Sequence, residues 1–268
     1  MDRYILKNII IIILVLVNGF LLGSLLSHQR AQRSAQDEAE SHITELFAAD
    51  GIALANGAIS HQSPPAALTL TRDTTLQQKV AAFFLGQNLV QEDQSGTASF
   101  VSDKGVARFR SGGTFEIEGK LALSDGEKLC EKFCKTFSFE PPVFALDETG
   151  TGSAVSVCSY EDLPVFNCTV TFTLNKGILT CVSGTLLPAG SAAAQESQKP
   201  LSAMAALTEF QKARRENDAV VSAVTDMQLC YELQSSSTAV LSLTPCWQIS
   251  TDTLVYYVNC STGAVSSR

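Results

Sequence analysis

The hydrophobic positions along the chain follow two periods, one typical of helices and one typical of strands. Three segments carry apolar residues at helical spacing. Their apolar faces are Leu76, Val80, Phe83 and Phe84 in the first, Leu129, Cys130, Phe133, Cys134 and Phe137 in the second, and Met204, Leu207 and Phe210 in the third. Asp73 or Thr74 can cap the first, Ser124 and Glu127 form a capping box for the second, and the third follows Pro200. The sequence therefore predicts three helices.

Strand-like segments follow each predicted helix. They are Thr97–Val101, Val106–Arg110 and Thr114–Glu118 after the first, Val165–Leu174 and Ile178–Leu186 after the second, and Asp226–Leu233, Ala239–Ser250 and Leu254–Cys260 after the third. The period of two in Val165–Leu174 predicts a half-buried strand, with Phe166, Cys168, Val170, Phe172 and Leu174 on its apolar face. We expect an α+β fold in which an N-terminal transmembrane helix precedes two or three units, each a helix followed by an antiparallel β-meander.

The N-terminal stretch Asn8–Leu26 contains no charged residue. As a helix it spans about 28 Å, close to the thickness of a bilayer core. A cleaved signal peptide is the alternative, but no small-x-small cleavage site follows the apolar run. The stretch therefore predicts a single-pass membrane anchor. The free N-terminal amine favours a cytoplasmic N-terminus, with the bulk of the chain extracytoplasmic and the lipid bilayer as one partner.

Two glycines four residues apart mark one face of this predicted anchor. Gly19 and Gly23 form a GxxxG pair, and Asn18 and Leu22 lie beside them. Small residues at this spacing let a second helix approach closely. We expect a helix-pairing face here, although glycine is also common in membrane helices without pairing.

These patterns divide the chain into six segments. They are a cytoplasmic tip and anchor (1–27), a juxtamembrane helical stalk and linker (28–67), a first helix–meander unit (68–121), a second unit (122–187), a linker (188–200) and a C-terminal helix–meander unit (201–268).

Composition and charge narrow the classes of function. Apolar residues make up 45% of the chain, enough to build cores, and the net charge is −8. An acidic chain has no electrostatic attraction for nucleic acid, so we expect no nucleic-acid partner.

No catalytic constellation is visible in the sequence. All three histidines, His28, His42 and His61, precede the predicted units. The sequence has no nucleophile elbow, zinc-protease motif or phosphate-binding loop. We therefore expect no enzyme activity, no cofactor and no metal site. The basic cluster Lys212, Arg214 and Arg215 ends a helix, where it complements the helix dipole.

The eight cysteines all follow the predicted anchor. Cys168 and Cys181 lie on neighbouring strands of one predicted hairpin, and Cys246 and Cys260 lie on neighbouring strands of another. Each pair is a possible disulfide if the strand register agrees. The alternative is that the cysteines pack as small hydrophobic residues.

Three aromatic residues cluster on adjacent predicted strands near the C-terminus. Trp247, Tyr256 and Tyr257 favour cross-strand packing. A peptide- or protein-binding face is the alternative interpretation.

The C-terminal third contains the most distinctive sequence motifs. A helix precedes Leu243-Thr-Pro-Cys-Trp-Gln-Ile249 and Tyr256-Tyr-Val-Asn-Cys-Ser-Thr-Gly263, and the earlier run Glu161-Asp-Leu-Pro-Val-Phe-Asn167 leads into a long strand. These runs resemble PepSY-like modules, and in particular the YycI branch of the YycH/YycI regulatory proteins. The resemblance implies that the two or three helix–meander units are PepSY-like, above all the C-terminal unit 201–268. The eight cysteines depart from that family's pattern.

The resemblance implies a membrane-anchored accessory protein without catalytic residues. Its expected partners are a cell-wall-linked sensor histidine kinase and a YycH-type companion membrane protein, reached through transmembrane and extracytoplasmic contacts. The alternative is a PepSY-type inhibitor or modulator of an extracytoplasmic peptidase. An unrecognised enzyme is the weakest hypothesis, because the later segments lack histidine.

Overall fold

The structure is a computed structural model of the 268-residue chain. It describes residues 13–14, 16–22, 24, 38–71, 74–94, 97–110, 112–121, 125–188, 192–194, 200–235 and 241–268.

The three helices predicted after the anchor, and the strands predicted to follow them, are present within these residues. The helices are α1 (Thr74–Leu85), α2 (Gly126–Thr136) and α3 (Ala203–Glu216), preceded by an N-terminal helical segment at residues 38–49. Residues 13–14, 16–22 and 24 are also helical. The strands are β1 (Ala53–Leu54), β2 (Leu68–Leu70), β3 (Val90–Gln94), β4 (Thr97–Ser102), β5 (Gly105–Arg110), β6 (Thr114–Gly119), β7 (Val143–Leu146), β8 (Gly152–Tyr160), β9 (Leu163–Asn175), β10 (Ile178–Thr185), β11 (Ala192–Ala194), β12 (Ala223–Ser235), β13 (Leu241–Thr251), β14 (Val255–Asn259) and β15 (Val265–Ser267).

The helix starts differ in how they are capped. Ser202 caps α3 by accepting a hydrogen bond from the backbone N–H of Ala205, the interaction typical of an N-cap serine. The N-cap of α2 is Asp125, in the left-handed conformation and without a side-chain cap. Ser124 of the predicted capping box lies outside the described residues.

The described strands form one mixed sheet of 15 strands. Its main path runs β11-β2-β13-β12-β9-β10-β6-β5-β4-β3, with β1, β7, β8, β14 and β15 paired off that path. The predicted architecture of a transmembrane helix followed by separate helix–meander units is therefore wrong. Each meander continues into strands of its neighbours, and hydrophobic periodicity does not encode such pairing.

Pairing between the predicted units takes three forms. Antiparallel β10 and β6 join the second meander to the first over five residue pairs. Parallel β12 and β9 meet at Tyr231 and Val165. The early strands β1 and β2 add to β12 and β13 from outside the meanders. The sheet is thus continuous from the first unit to the last.

Two hydrophobic cores lie against this sheet. The larger packs α1 and α2 on one face of β4 to β10, and it includes Phe84, Phe133 and Phe172, each at most 2% exposed. The smaller packs α3 and the N-terminal helical segment on β12 to β14 around the fully buried Trp247. The apolar face of each helix is therefore covered by strands.

The end of the N-terminal helical segment is fixed to α3. The buried Phe47 ring stacks on Phe210. Asp50 accepts hydrogen bonds from both Arg214 and Arg215. The hydrogen bond from Arg215 is the main reason that the pKa of Asp50 lies below its ordinary value. The basic end of α3 therefore binds a specific carboxylate, in addition to its expected role at the helix dipole.

Within the part of the chain that the structure describes, no helix combines the length and the apolar character needed to cross a membrane. This finding contradicts the predicted transmembrane anchor and the single-pass, N-terminus-inside localisation derived from it. Residues 1–12, 15, 23 and 25–37 lie outside the described residues.

Candidate functional site

The structure separates the three aromatic residues of the predicted C-terminal cluster. Trp247 and Tyr256 lie in the smaller core, at 0% and 7% exposure. Tyr257 follows Tyr256 in β14 and so lies on the opposite face of the sheet. Trp247 also donates from its indole Nε1 to the carbonyl of Leu201 at 2.9 Å, which ties β13 to the start of α3.

Tyr257 belongs to a stack of three side chains at the sheet surface. Its ring lies parallel to the Phe166 ring, with 3.8 Å between centroids. The guanidinium of Arg268 lies over the Phe166 ring at 5.2 Å. Burial raises the pKa of Tyr257 above its ordinary value. The stack holds the Tyr257 ring in one orientation.

The predicted apolar face of β9 is wrong at Phe166. A register shift between β8 and β9 pairs Cys158 with Val165 and Val157 with Thr169. Because the extra residues of such a bulge change the alternation, Val165 and Cys168 are fully buried, whereas Phe166 is only partly buried and meets Tyr257.

All eight cysteines are described, and all are free thiols. Cys246 lies opposite Asn259 on β14, next to Cys260, and opposite Cys230 on β12. Cys230, Cys246 and Cys260 are each at most 1% exposed. Burial raises the pKa of Cys260 to about 12. Cys246 therefore has two cysteines close to it, of which the sequence indicated one.

The other predicted pair is held apart. Cys168 is in the larger core, where its thiol donates to the carbonyl of Thr185 and lies next to Cys158. A register shift between Leu179 and Cys181 places Cys181 opposite Thr173. Cys181 is partly exposed, and burial still raises its pKa. Cys168 and Cys181 thus lie on opposite faces of the sheet.

The predicted helix-pairing face is described only in part. Asn18, Gly19 and Leu22 are helical and exposed, and a Cβ atom placed on Gly19 would meet nothing within 4 Å. Gly23 lies outside the described residues.

The face of the sheet opposite α1 and α2 carries a second set of side chains, which we call the outer face. Cross-strand pairing aligns these residues in two rows from β7 to β3. One row is Val143, Val155, Thr171, Ser183, Glu116, Arg108, Ser99 and Glu92, and the other is Ala145, Ser153, Thr173, Cys181, Glu118, Val106, Val101 and Val90. No described helix packs on this face, as antiparallel sheets allow.

The outer face carries both charged and apolar side chains. At β5 and β6, Arg108 pairs with Glu118 at 3.0 Å, and Arg110 pairs with Glu116 at 3.7 Å. At the β7 end, Val143 is 75% exposed and its cross-strand neighbour Val155 is 41% exposed.

The β7 strand is an edge of the sheet in the described part of the chain. It pairs with β8 only. Its outer backbone groups therefore remain available to another strand. We call Val143, Ala145, Ser153 and Val155 with this edge the docking edge. The docking edge is not among the sites predicted from the sequence, although Val143 and Ala145 alternate with Phe144 and Leu146, the period of a two-faced strand.

Comparisons with known proteins assign no family. No family model matches the chain, and no curated protein matches it. Among solved structures, an uncharacterized protein from Eubacterium rectale matches with 8% sequence identity and a TM-score of 0.40, and the match covers 77% of this chain and 81% of that protein's chain. The YpeB C-terminal domain from Bacillus megaterium matches with 13% sequence identity and a TM-score of 0.36, and the match covers 74% of this chain and 99% of that domain's chain. Similarity at this level carries no argument about function, and the YycI-like resemblance has no support from these comparisons.

Proposed function

We propose that this protein is a non-enzymatic regulator that binds a partner protein at the docking edge. The observation that carries the proposal is the exposed apolar pair Val143 and Val155 beside an unpaired strand edge. The partner we propose is a sensor histidine kinase, acting together with a YycH-type companion protein.

The docking edge presents apolar surface that a partner can cover. Val143 and Val155 are neighbours on paired strands, so their exposed surfaces form one patch instead of two isolated residues. A partner that covers the patch gains about 25 cal/mol for each Å² of apolar surface removed from water. The edge of β7 adds backbone hydrogen bonds to an extended segment of the partner, which is the strand-addition mode of recognition.

Regulation then requires no bond making in this chain. A partner kinase with two conformations shifts toward whichever one binds the docking edge more tightly. The free energy by which the kinase equilibrium shifts equals the difference between the binding free energies of its two conformations.

The test is quantitative capture of partners by the tagged full-length protein from its native cells. Val143→Asp places a charge in the patch, where contact with an apolar partner surface would desolvate it at a cost of several kcal/mol. We expect recovery of a kinase to fall about tenfold or more, since each 1.4 kcal/mol is a factor of ten. Val90→Asp is the matched control, because Val90 is 62% exposed on β3 at the far end of the outer face.

Each outcome decides between the candidates. Recovery of a sensor kinase that Val143→Asp abolishes and Val90→Asp preserves supports the proposal. Equal recovery by both variants contradicts the docking edge. Specific recovery of a peptidase by the same edge would favour the alternative of a peptidase modulator.

A further inference from the structure

A groove on the C-terminal part of the sheet is independent of the docking edge. It lies on the face of β12 to β15 opposite α3, with a volume of about 390 Å³. Its lining includes Glu232, Gln234, Thr244, Tyr257, Asn259 and Ser266. The volume is within the range of small-molecule sites, about 300–1,000 Å³.

Hydrogen bonds fix the polar groups on one side of the groove. Thr244 donates from Oγ1 to Oε1 of Gln234 at 3.3 Å. Gln234 in turn donates from Nε2 to Oε2 of Glu232 at 2.8 Å. Oε1 of Glu232 has no partner among the described residues, and Glu232 lines the groove as a hydrogen-bond acceptor.

Asn259 supplies a matching donor. This residue is only 8% exposed, and its Oδ1 accepts the backbone N–H groups of Ser261 and Thr262 at 2.9 and 3.0 Å. Its Nδ2 makes no hydrogen bond to the described residues, which contain no buried unpaired side-chain nitrogen or oxygen. Nδ2 therefore reaches the surface, and Asn259 lines the groove.

An aromatic ring completes the site. Tyr257 lines the groove, and its stacking on Phe166 fixes the ring. Fixed rings present a flat apolar surface at low entropic cost, beside a hydroxyl that forms hydrogen bonds.

The combination selects a class of ligand. Glu232 is the only charged side chain among the described residues that line the groove, so phosphates and carboxylates meet repulsion without a compensating cation. The hydroxyls and amides disfavour a purely apolar ligand, since they would lose hydrogen bonds to water. A sugar satisfies both demands, because its hydroxyls donate to a carboxylate and accept from an amide while its C–H face packs on an aromatic ring.

We propose that this groove is a binding site for a neutral saccharide, with Glu232 and Asn259 on its hydroxyls and Tyr257 against its ring. The site requires no chemical step and adds a ligand that the partner-binding function does not contain.

The test is titration of the full-length protein with glucose, N-acetylglucosamine and cellobiose, and separately with lysine, monitored by calorimetry and saturation-transfer NMR. We expect saturable binding of at least one of the three sugars and none of lysine. Glu232→Gln keeps the shape but removes a charge-assisted acceptor, and should weaken binding about tenfold. Tyr257→Leu should weaken it similarly. Glu118→Gln, on the outer face, should leave affinity unchanged.

Three results would overturn the proposal. They are no saturable binding of any of the three sugars at millimolar concentration, binding that Glu232→Gln and Tyr257→Leu leave intact, and binding of lysine in place of the sugars. Thermal melting of each variant establishes that the fold is retained, and the conservative Glu232→Gln variant keeps the test valid if Tyr257→Leu unfolds.

Discussion

The side chain of Asn167 joins the two halves of the sheet. Its Nδ2 donates to the carbonyl of Leu233 at 2.8 Å, and its Oδ1 accepts the N–H of Leu233 at 2.8 Å. The amide therefore reproduces the hydrogen bonds of a strand neighbour where β9 and β12 share one backbone pairing, Val165 with Tyr231. Replacing Asn167 by alanine removes both bonds at once.

The expected loss of stability depends on the backbone groups of Leu233 that the substitution leaves without a partner. Each hydrogen bond contributes about 1 kcal/mol net, and a buried group left without a partner costs about 1–3 kcal/mol. Asn167 is partly buried, so water reaches some of the backbone groups that lose their partner and limits the loss of stability. We expect Asn167→Ala to lower the free energy of unfolding by about 2–3 kcal/mol.

Denaturant unfolding and amide exchange measure this change. The Leu233 amide should exchange faster in Asn167→Ala, because its acceptor is lost. Asn175→Ala is the matched control, since Asn175 is an exposed residue at the end of the same strand, and it should change stability by less than about 0.5 kcal/mol. If Asn167→Ala is as stable as Asn175→Ala, the side chain does not support the junction and the reasoning fails.

Three further predictions concern other parts of the molecule. Because the pKa of Asp50 is lowered in the folded state, its stabilising effect is full above its ordinary value of 3.8 and disappears as the pH falls through the lowered pKa. Asp50→Asn should therefore lower the melting temperature at pH 7, and thermal melts should show the difference from wild type shrinking in acid. Cys181 is the one cysteine of the eight that is not buried, so a thiol reagent should label it first, as followed by mass spectrometry; equally fast labelling of Cys246 would contradict this. Gly184→Ala would bring a Cβ within 2.2 Å of the carbonyl oxygen of Thr169, and should cost about 1–3 kcal/mol in denaturant unfolding, whereas Gly112→Ala meets nothing and should be near neutral.

The hydrophobic periodicity of the sequence predicted the helices and strands well, because the conformation of each element is selected mainly by residues within it. The predicted strand Thr114–Glu118 differs by one residue from Thr114–Gly119, and the hairpin of β9 and β10 turns at Lys176-Gly177 as expected. Helical spacing likewise placed Phe133 and Phe210 on buried helix faces. In each case, the contacts that select the conformation lie within one turn or one strand.

The pairing between units could not be predicted in the same way. Nothing in the alternation of β6 or β10 indicates that Cys181 meets Glu118, because a strand's pattern is compatible with many neighbours. The bulges had a similar effect, since one extra residue turned Cys181 to the outer face. The predicted disulfide geometry depended on register, which lies beyond local sequence.

The candidate sites lie on faces of the sheet that no described helix covers, because few helices pack on many strands. In the described part of the chain, α1 and α2 pack on one face of the larger layer and α3 packs on one face of the C-terminal strands. The opposite faces therefore carry the side chains that alternation places away from the cores, including Val155 on one and Tyr257 on the other. Because Tyr256 and Tyr257 are adjacent in a strand, period two alone already requires that one is buried and the other lies on the open face. Alternation thus identifies which residues reach an open face, while the covering helices decide which face is open.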